Sequence, residues 1–211
     1  MSTRFILVRH GETPASLERR FAGATDVDLT DNGREQARAL ARRLRAVRID
    51  VIFSSPLKRC LQTAEPITEL TGRKAQIAEE IHECRFGDWE NLTAAEILDS
   101  HGEALQRWLT DETICPPGGE SWSQLGERVV GWFNDAAKRY ENRTVLAVMH
   151  GGPILMLGRH LTGGSPEAMA TLFVEPASIS MLQVMDGRRR IRMWNDTTHL
   201  RDPLMDGSGL R

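Results

Sequence analysis

Hydrophobic positions along the chain fall into short apolar runs separated by longer segments with helical spacing. The runs at 5–8, 51–53 and 144–149 predict buried β-strands, because strands covered on both faces show no polar alternation. In the longer segments an apolar residue recurs every third or fourth position, which is the pattern of one helix face. This spacing predicts helices that begin at residue 30 and that span 57–70, 94–109, 121–140 and 153–161.

The C-terminal part of the chain predicts a β-hairpin. Segments 178–185 and 189–194 are joined by Asp186 and Gly187, a pair that favours a tight turn. Strands that alternate with helices predict an α/β fold in which helices cover both faces of one sheet. We therefore expect a three-layer α/β/α sandwich with a single mixed, mostly parallel sheet. It should form one domain over residues 1–200, with a flexible tail over 201–211, where Gly, Pro, Asp and Ser concentrate.

The amino-acid composition argues against two classes of binding partner, nucleic acids and membranes. The 211 residues carry 27 Lys and Arg against 29 Asp and Glu, so no broad positive surface is available for nucleic acid. No apolar stretch approaches the length of a membrane span, and the apolar run near the N-terminus is too short for a signal peptide. The three cysteines are odd in number and lack CxxC spacing, which favours reduced thiols. We expect a cytoplasmic protein that binds neither nucleic acid nor a membrane.

Candidate chemistry lies where the predicted strands end. Ligands of open α/β sheets bind outside the carboxyl ends of the strands. The first strand is followed by Arg9 and His10, and the third by His150. The second ends at 54–56, with Arg59 one helical turn further on. The sequence therefore predicts that two histidines and two arginines meet at one edge of the sheet.

These residue types together suit phosphoryl transfer. A guanidinium group presents a planar fork of donors that matches phosphate oxygens. The N–H of Gly151, at the start of a predicted helix, can approach an anion closely. An imidazole among guanidinium groups has its charged form disfavoured, so it stays neutral and nucleophilic. Such a site stabilises charge without needing a metal ion to assemble it.

Five segments resemble, in the same order, the motifs of the histidine phosphatase superfamily, which includes cofactor-dependent phosphoglycerate mutase. They are LVRHGETP at 7–14, TDVDLTDNGREQA at 25–37, SSPLKRCLQTA at 54–64, VMHGG at 148–152 and NDTTHL at 195–200. The resemblance implies that His10 is a nucleophile that becomes phosphohistidine, and that Arg9, Arg59 and His150 hold the phosphoryl group. Glu83, in HECRFGDWEN, is at the position where the family's phosphatases have a proton donor.

The resemblance also indicates a branch. FGDWEN at 86–91 is similar to α-ribazole-5′-phosphate phosphatases and to broad-specificity phosphatases near them. Mutases of the family have a longer insert before the second histidine, and the short stretch here favours hydrolysis of small phosphate esters. The family commonly has Asn, a phosphate contact, at the position of Ser16. Serine is shorter, so a phosphate contact of Ser16 stays open. The loop at 116–121 lies in the region that shapes substrate choice in the family.

Two functions compete with a phosphatase, namely a cofactor-dependent mutase and a non-catalytic sensor of phosphorylated ligands. The DVDLT string at 26–30 superficially matches magnesium-dependent haloacid dehalogenase-type phosphatases, but no apolar strand precedes it. The other histidines show no zinc-ligand spacing. We therefore expect no metal and no cofactor, and a small phosphorylated metabolite as the partner. A homodimer is left open.

Overall fold

The structure is a computed structural model that describes residues 2–165 and 171–200. Within these residues, the fold is organised around a six-stranded sheet. The strand order is β3-β2-β4-β1-β5-β6. Parallel pairing joins β3 to β2, β2 to β4 and β4 to β1, whereas β5 and β6 add to this sheet antiparallel. The predicted mixed, mostly parallel sheet is confirmed. The strands are β1 (Ser2–Arg9), β2 (Val51–Ser54), β3 (Ala75–Ile77), β4 (Thr144–Met149), β5 (Ile179–Met185) and β6 (Arg188–Asp196).

Helices connect the strands, and side-chain caps fix where several of them begin. Thr30, Thr93 and Ser121 each accept a hydrogen bond from the backbone N–H three residues later, which satisfies a donor that has no partner within the helix. None of the helices within residues 2–165 and 171–200 is long and apolar enough to cross a membrane. The helices are α1 (Pro14–Leu17), α2 (Asp31–Leu44), α3 (Lys58–Thr71), α4 (Ala94–Thr110), α5 (Trp122–Arg139) and α6 (Gly151–Thr162).

Both faces of the sheet are buried, so the molecule has three layers. Along β1, Phe5 and Leu7 pack into one hydrophobic cluster, while Ile6 and Val8 pack into the other. The first cluster includes residues of α4, α5 and α6, and the second includes residues of α2 and α3. This arrangement confirms the predicted α/β/α sandwich and explains why the strands read as continuous apolar runs.

Three details differ from the sequence prediction, and the first is the short helix α1, which the sequence analysis did not predict. The sequence shows no signal for β3, because its three residues lie at the sheet edge and only pairing with β2 makes them a strand. Helix α6 begins at Gly151 rather than at Pro153. Proline is tolerated at the third helical position, since the first N–H groups of a helix lack internal partners anyway. The tail predicted at 201–211 lies outside the described residues, and a single domain over 1–200 stays a prediction.

Truncation of Leu146 tests the packing of the central strand. Leu146 is fully buried in β4, between Ile6 of β1 and Ile52 of β2. Leu146→Ala removes buried apolar surface and leaves a cavity, so we expect the free energy of unfolding in urea to fall by about 2–5 kcal/mol. Leu98→Ala, at a position 54% exposed, is the control and should change it by less than about 0.5 kcal/mol. Equal effects of the two substitutions would contradict this account of the core.

Candidate active site

The parallel pairing of β1 with β4 brings two histidines together. Arg9 and Met149 are partners in register, and the next residues are His10 and His150. The His10 N–H donates to the Met149 carbonyl at 2.9 Å, which extends the ladder by one bond. The two imidazole rings lie with their centroids 5.2 Å apart, in an edge-on arrangement. The structure therefore places both histidines at the carboxyl edge of the sheet.

Hydrogen bonding defines the tautomer of His10. Its Nδ1 lies 2.7 Å from the Gly11 carbonyl oxygen. Because a carbonyl oxygen only accepts, Nδ1 carries the proton, and Nε2 carries the free lone pair. Burial, and then the neighbouring charges of Arg59 and Arg9, hold the pKa of His10 well below its usual value. His10 is therefore neutral at pH 7, with Nε2 in the state that a nucleophile requires.

His150 is fully buried, and both its ring nitrogens have partners. Nδ1 accepts from Arg59 Nε at 3.2 Å, so the proton lies on Nε2, which donates to Ser55 Oγ at 2.8 Å. Burial, followed by the charge of Arg59, keeps the pKa of His150 well below the usual value. The ring thus lies behind His10 as a neutral group.

Arg59 is almost completely buried and binds a loop as well as His150. Its Nη1 donates to the carbonyl of Thr25, and its Nη2 donates to the carbonyls of Ala22 and Gly23, each at 2.8 Å. Together with the bond from Nε to His150, four of its five N–H groups are engaged. Arg59 therefore fastens the loop at 22–25 to the site and contributes a fixed positive charge.

Arg9 supplies a cationic donor that has no acceptor among the described residues. Its Nη1 donates to the Val174 carbonyl, but its Nε is buried and has no hydrogen-bond partner within the part of the chain that the structure describes. Burial lowers the pKa of Arg9, and the nearby charge of Glu83 opposes that effect. An unsatisfied buried donor is costly, and an anion bound beside it would remove the cost.

Glu83 is held against the N-terminus of α6. Its Oε1 accepts from the Cys84 N–H at 2.9 Å, and its Oε2 accepts from the Gly152 N–H at 3.3 Å. A Cβ atom at position 152 would lie 2.3 Å from Oε1, so the carboxylate can occupy this place only beside glycine. A Cβ atom at Gly151 would lie 3.8 Å from Arg9 Nε, which shows how close this turn of backbone comes to the guanidinium group.

A cavity of about 1120 Å³ opens at this edge of the sheet. His10, Arg9, Arg59 and Glu83 all line it, whereas His150 does not. Its volume leaves room for a leaving group larger than the phosphate itself. The outer wall combines apolar with charged side chains. The lining side chains beyond the four already named include Leu17, Phe21, Phe86, Leu155, Phe173, Glu12, Arg19, Arg20 and Glu175.

Ser16 also lines the cavity, but its hydroxyl caps helix α1. Ser16 Oγ donates to the Thr13 carbonyl at 2.8 Å and accepts from the Thr13 N–H at 2.9 Å. A contact between Ser16 and phosphate, like one from the Gly151 N–H, stays a prediction. Among residues 2–165 and 171–200, no three His, Cys, Asp or Glu side chains are grouped as metal ligands.

Several residues that shape the site were not predicted from the sequence. Ser55 fixes the His150 proton, and the hydroxyl of Thr63 accepts from the Gly11 N–H at 2.9 Å. Both lie inside the SSPLKRCLQTA segment, so that motif was the available signal. Glu120 and Arg128, which pair behind Glu83, have no such signal. Two isolated charged residues in a loop and on a helix look like surface positions until the chain folds.

Fold and site together define an α/β protein with a cationic, histidine-containing cavity at the carboxyl edge of its sheet. The sequence matches the family model of the histidine phosphatase superfamily (branch 1) over residues 5–197. The chain belongs to this superfamily, as its motifs predicted.

Curated relatives and solved structures show the same family. Phosphoserine phosphatase 1 of Hydrogenobacter thermophilus is 32% identical over 198 residues, which is 93% of this chain and 94% of the relative. Mycobacterial relatives that are 36% identical over 200 residues are longer proteins, and the chain spans 55% of their length.

Two solved structures extend the comparison. A mycobacterial glucosyl-3-phosphoglycerate phosphatase superimposes with a TM-score of 0.84 at 30% identity, covering 93% of this chain and all of that one. A structure described provisionally as an α-ribazole-5′-P phosphatase of Escherichia coli gives 0.83 at 28% identity, covering 92% and 96%. These neighbours support a phosphatase, and they are named for different substrates.

The buried neutral state of His10 predicts a pH-dependent stability. Below about pH 6.5 the unfolded chain protonates this histidine while the folded protein does not, so the free energy of unfolding falls as pH falls. Between pH 6 and pH 5 we expect His10→Asn to lose about 1 kcal/mol less stability than the wild type, measured by urea unfolding. His101→Asn, at an exposed position, is the control and should follow the wild type. If His10→Asn keeps the wild-type pH dependence, the assignment of a neutral buried imidazole is wrong.

Proposed function

We propose that the protein is a metal-independent phosphatase that hydrolyses small phosphate monoesters through a phosphohistidine at His10. One observation carries the proposal. In a single cavity, a neutral imidazole with a free Nε2 lies near a buried guanidinium N–H that lacks an acceptor within residues 2–165 and 171–200. A phosphoryl group between them would satisfy the donor and meet the nucleophile. Family membership and the phosphatase neighbours support the same reaction.

The proposed reaction has two steps that share one proton carrier. First, His10 Nε2 attacks phosphorus, the ester P–O bond breaks, and protonated Glu83 transfers its proton to the leaving alkoxide oxygen. A water molecule then attacks the phosphohistidine while the Glu83 carboxylate takes its proton. The P–N bond breaks, inorganic phosphate leaves, and both His10 and Glu83 return to their starting states.

The other predicted residues hold the transferring group in different ways. Arg9 donates directly to the phosphoryl group, because its Nε has no acceptor in the part of the chain that the structure describes. Arg59 supplies fixed positive charge, since most of its donors already bind the protein, and the neutral His150 holds Arg59 in place. The Gly151 N–H adds a further contact to a phosphate oxygen, and Ser16 adds one when its hydroxyl turns from the Thr13 carbonyl to the phosphate. Charge fixed in advance around phosphorus stabilises the transition state without reorganisation.

The substrate that we propose is a small phosphorylated metabolite with an organic leaving group. The apolar and charged side chains on the cavity wall can bind both a ring or chain and a polar group. α-Ribazole-5′-phosphate is one candidate and a broad range of esters is another, and relatives named for phosphoserine and glucosyl-3-phosphoglycerate add two more. We expect no nucleic-acid or membrane partner and a cytoplasmic location.

Removal of the nucleophile tests the chemistry. His10→Ala should lower the turnover of p-nitrophenyl phosphate by at least about 10³-fold, because it removes the nucleophile of the proposed covalent intermediate. EDTA should leave wild-type turnover unchanged. His101→Ala, at an exposed position, is the control and should keep wild-type activity. Turnover that EDTA abolishes would instead favour the magnesium-dependent reaction of the haloacid dehalogenase type.

Hydrolysis and mutase activity differ in what accepts the phosphoryl group. With 3-phosphoglycerate, in the presence and absence of 2,3-bisphosphoglycerate, we expect free phosphate to appear faster than 2-phosphoglycerate. The physical reason is that the segment from Glu83 to His150 is too short for the insert found in mutases, so water reaches the intermediate. Faster formation of 2-phosphoglycerate would identify a mutase. Binding of phosphate esters without release from any of a panel would identify a sensor.

A further inference from the structure

An ion pair of a buried glutamate and a partly buried arginine lies directly behind Glu83, outside the cavity. Glu120 is 3% exposed, and the side chain of Arg128 on α5 is 17% exposed. Arg128 Nε donates to Glu120 Oε1 at 2.7 Å and Nη2 donates to Oε2 at 2.8 Å, which is a bidentate pair. Neither residue lines the cavity that contains His10. The pair therefore does not touch a substrate in that cavity.

The same guanidinium group binds the backbone that carries Glu83. Arg128 Nη1 donates to the carbonyls of Glu80 at 2.6 Å and of His82 at 2.8 Å, and Nη2 donates to the Glu83 carbonyl at 3.1 Å. One side chain thus binds three carbonyl groups within four residues.

Glu120 binds the other side of the same segment. Its N–H donates to the Arg85 carbonyl at 2.7 Å, and its Oε2 accepts from the Arg85 N–H at 3.4 Å. Its carbonyl accepts from Cys84 Sγ at 3.3 Å. Residues 83–86 belong to no helix or strand, so no ladder of their own holds them. The segment is bound on both sides of Glu83 by the two members of one ion pair.

We propose that the Glu120–Arg128 pair positions the carboxyl group of Glu83 for proton transfer. This inference rests on the proposed function, in which Glu83 is the proton donor. Replacing a buried ion pair with apolar residues is often neutral or stabilising, so stability alone is a weak reason for such a pair. Proton transfer, in contrast, needs the donor within hydrogen-bond reach of the leaving oxygen, and a displacement of about 1 Å is costly. Both are positioning residues that act through Glu83.

The dependence on leaving group separates this role from a structural one. Benzyl phosphate and p-nitrophenyl phosphate both carry a single aromatic ring. Benzyl alkoxide is a strong base and needs a proton as it leaves, whereas p-nitrophenolate leaves without one. The value of kcat/KM reports the first chemical step, so its ratio between the two esters measures proton donation. A general loss of folded enzyme lowers both values and leaves the ratio unchanged.

The test uses the variant Glu120→Gln/Arg128→Met, which removes both charges and leaves neither buried alone. We expect kcat/KM for benzyl phosphate to fall about 10- to 100-fold and that for p-nitrophenyl phosphate to fall less than about threefold. Glu83→Gln should show the same selectivity with a larger loss on benzyl phosphate, about 10²- to 10⁴-fold. Arg159→Met is the matched control, because it breaks the ion pair with Glu112 and has no hydrogen bond to residues 80–85 among the described residues. It should leave the ratio unchanged.

The outcomes distinguish the two proposals. In one outcome, Glu83→Gln lowers kcat/KM mainly for benzyl phosphate, while the double variant, shown by circular dichroism to be folded, lowers kcat/KM equally for both esters. The positioning role is then wrong and the proposed function stands. If Glu83→Gln itself lowers kcat/KM equally for both esters, Glu83 is not the proton donor, and both the donor assignment and this inference fail. Should the double variant not fold, Glu120→Gln, which keeps the side-chain shape, is judged by the same ratio.

Discussion

Parallel hydrogen bonding between β1 and β4 is the constraint on which the rest of the site depends. It aligns Arg9 with Met149, so the chain leaves both strands at the same height and the next residues are the two histidines. The bond from the His10 N–H to the Met149 carbonyl extends that alignment into the site. Pairing of β2 with β4 adds Ser55, whose N–H donates to the Val148 carbonyl. A shift of one residue in this register would turn the side chains to the opposite face of the sheet.

Charge in the site is arranged so that cations are fixed and the imidazoles are neutral. Arg59 is bound by the carbonyls of the loop at 22–25 and by His150, so its charge cannot move away from His10. Burial beside that charge suppresses protonation of both rings. Arg9 differs from Arg59, because its Nε has no hydrogen-bond partner within the described residues. Two guanidinium groups beside neutral histidines provide positive charge next to the nucleophile, which favours binding of a phosphate dianion there.

The position of the Glu83 side chain is fixed in a different way from the positions of the two histidines. The histidines follow directly from strands, whereas Glu83 lies on a segment without regular structure. Its carboxylate is held by backbone N–H groups of Cys84 and of Gly152, and the latter requires glycine at the start of α6. The backbone is held from behind by the pair of Glu120 with Arg128. Three distant parts of the chain therefore meet to place one carboxyl group.

The sequence alone determined the strands other than β3, most helix boundaries and the residues that gather at the sheet edge, because periodicity and strand ends are local properties of the chain. The Asp186-Gly187 turn likewise follows from local backbone preference, and both residues have positive φ. Only the tertiary structure decided what depends on contacts between distant segments. Strand β3 exists through pairing with β2, α6 begins at Gly151 because the chain turns there after β4, and Ser16 uses its hydroxyl to cap α1. Glu120 and Arg128 form their ion pair only when α5 packs behind the segment that carries Glu83. Hydrophobic periodicity along the chain does not predict a contact of this kind.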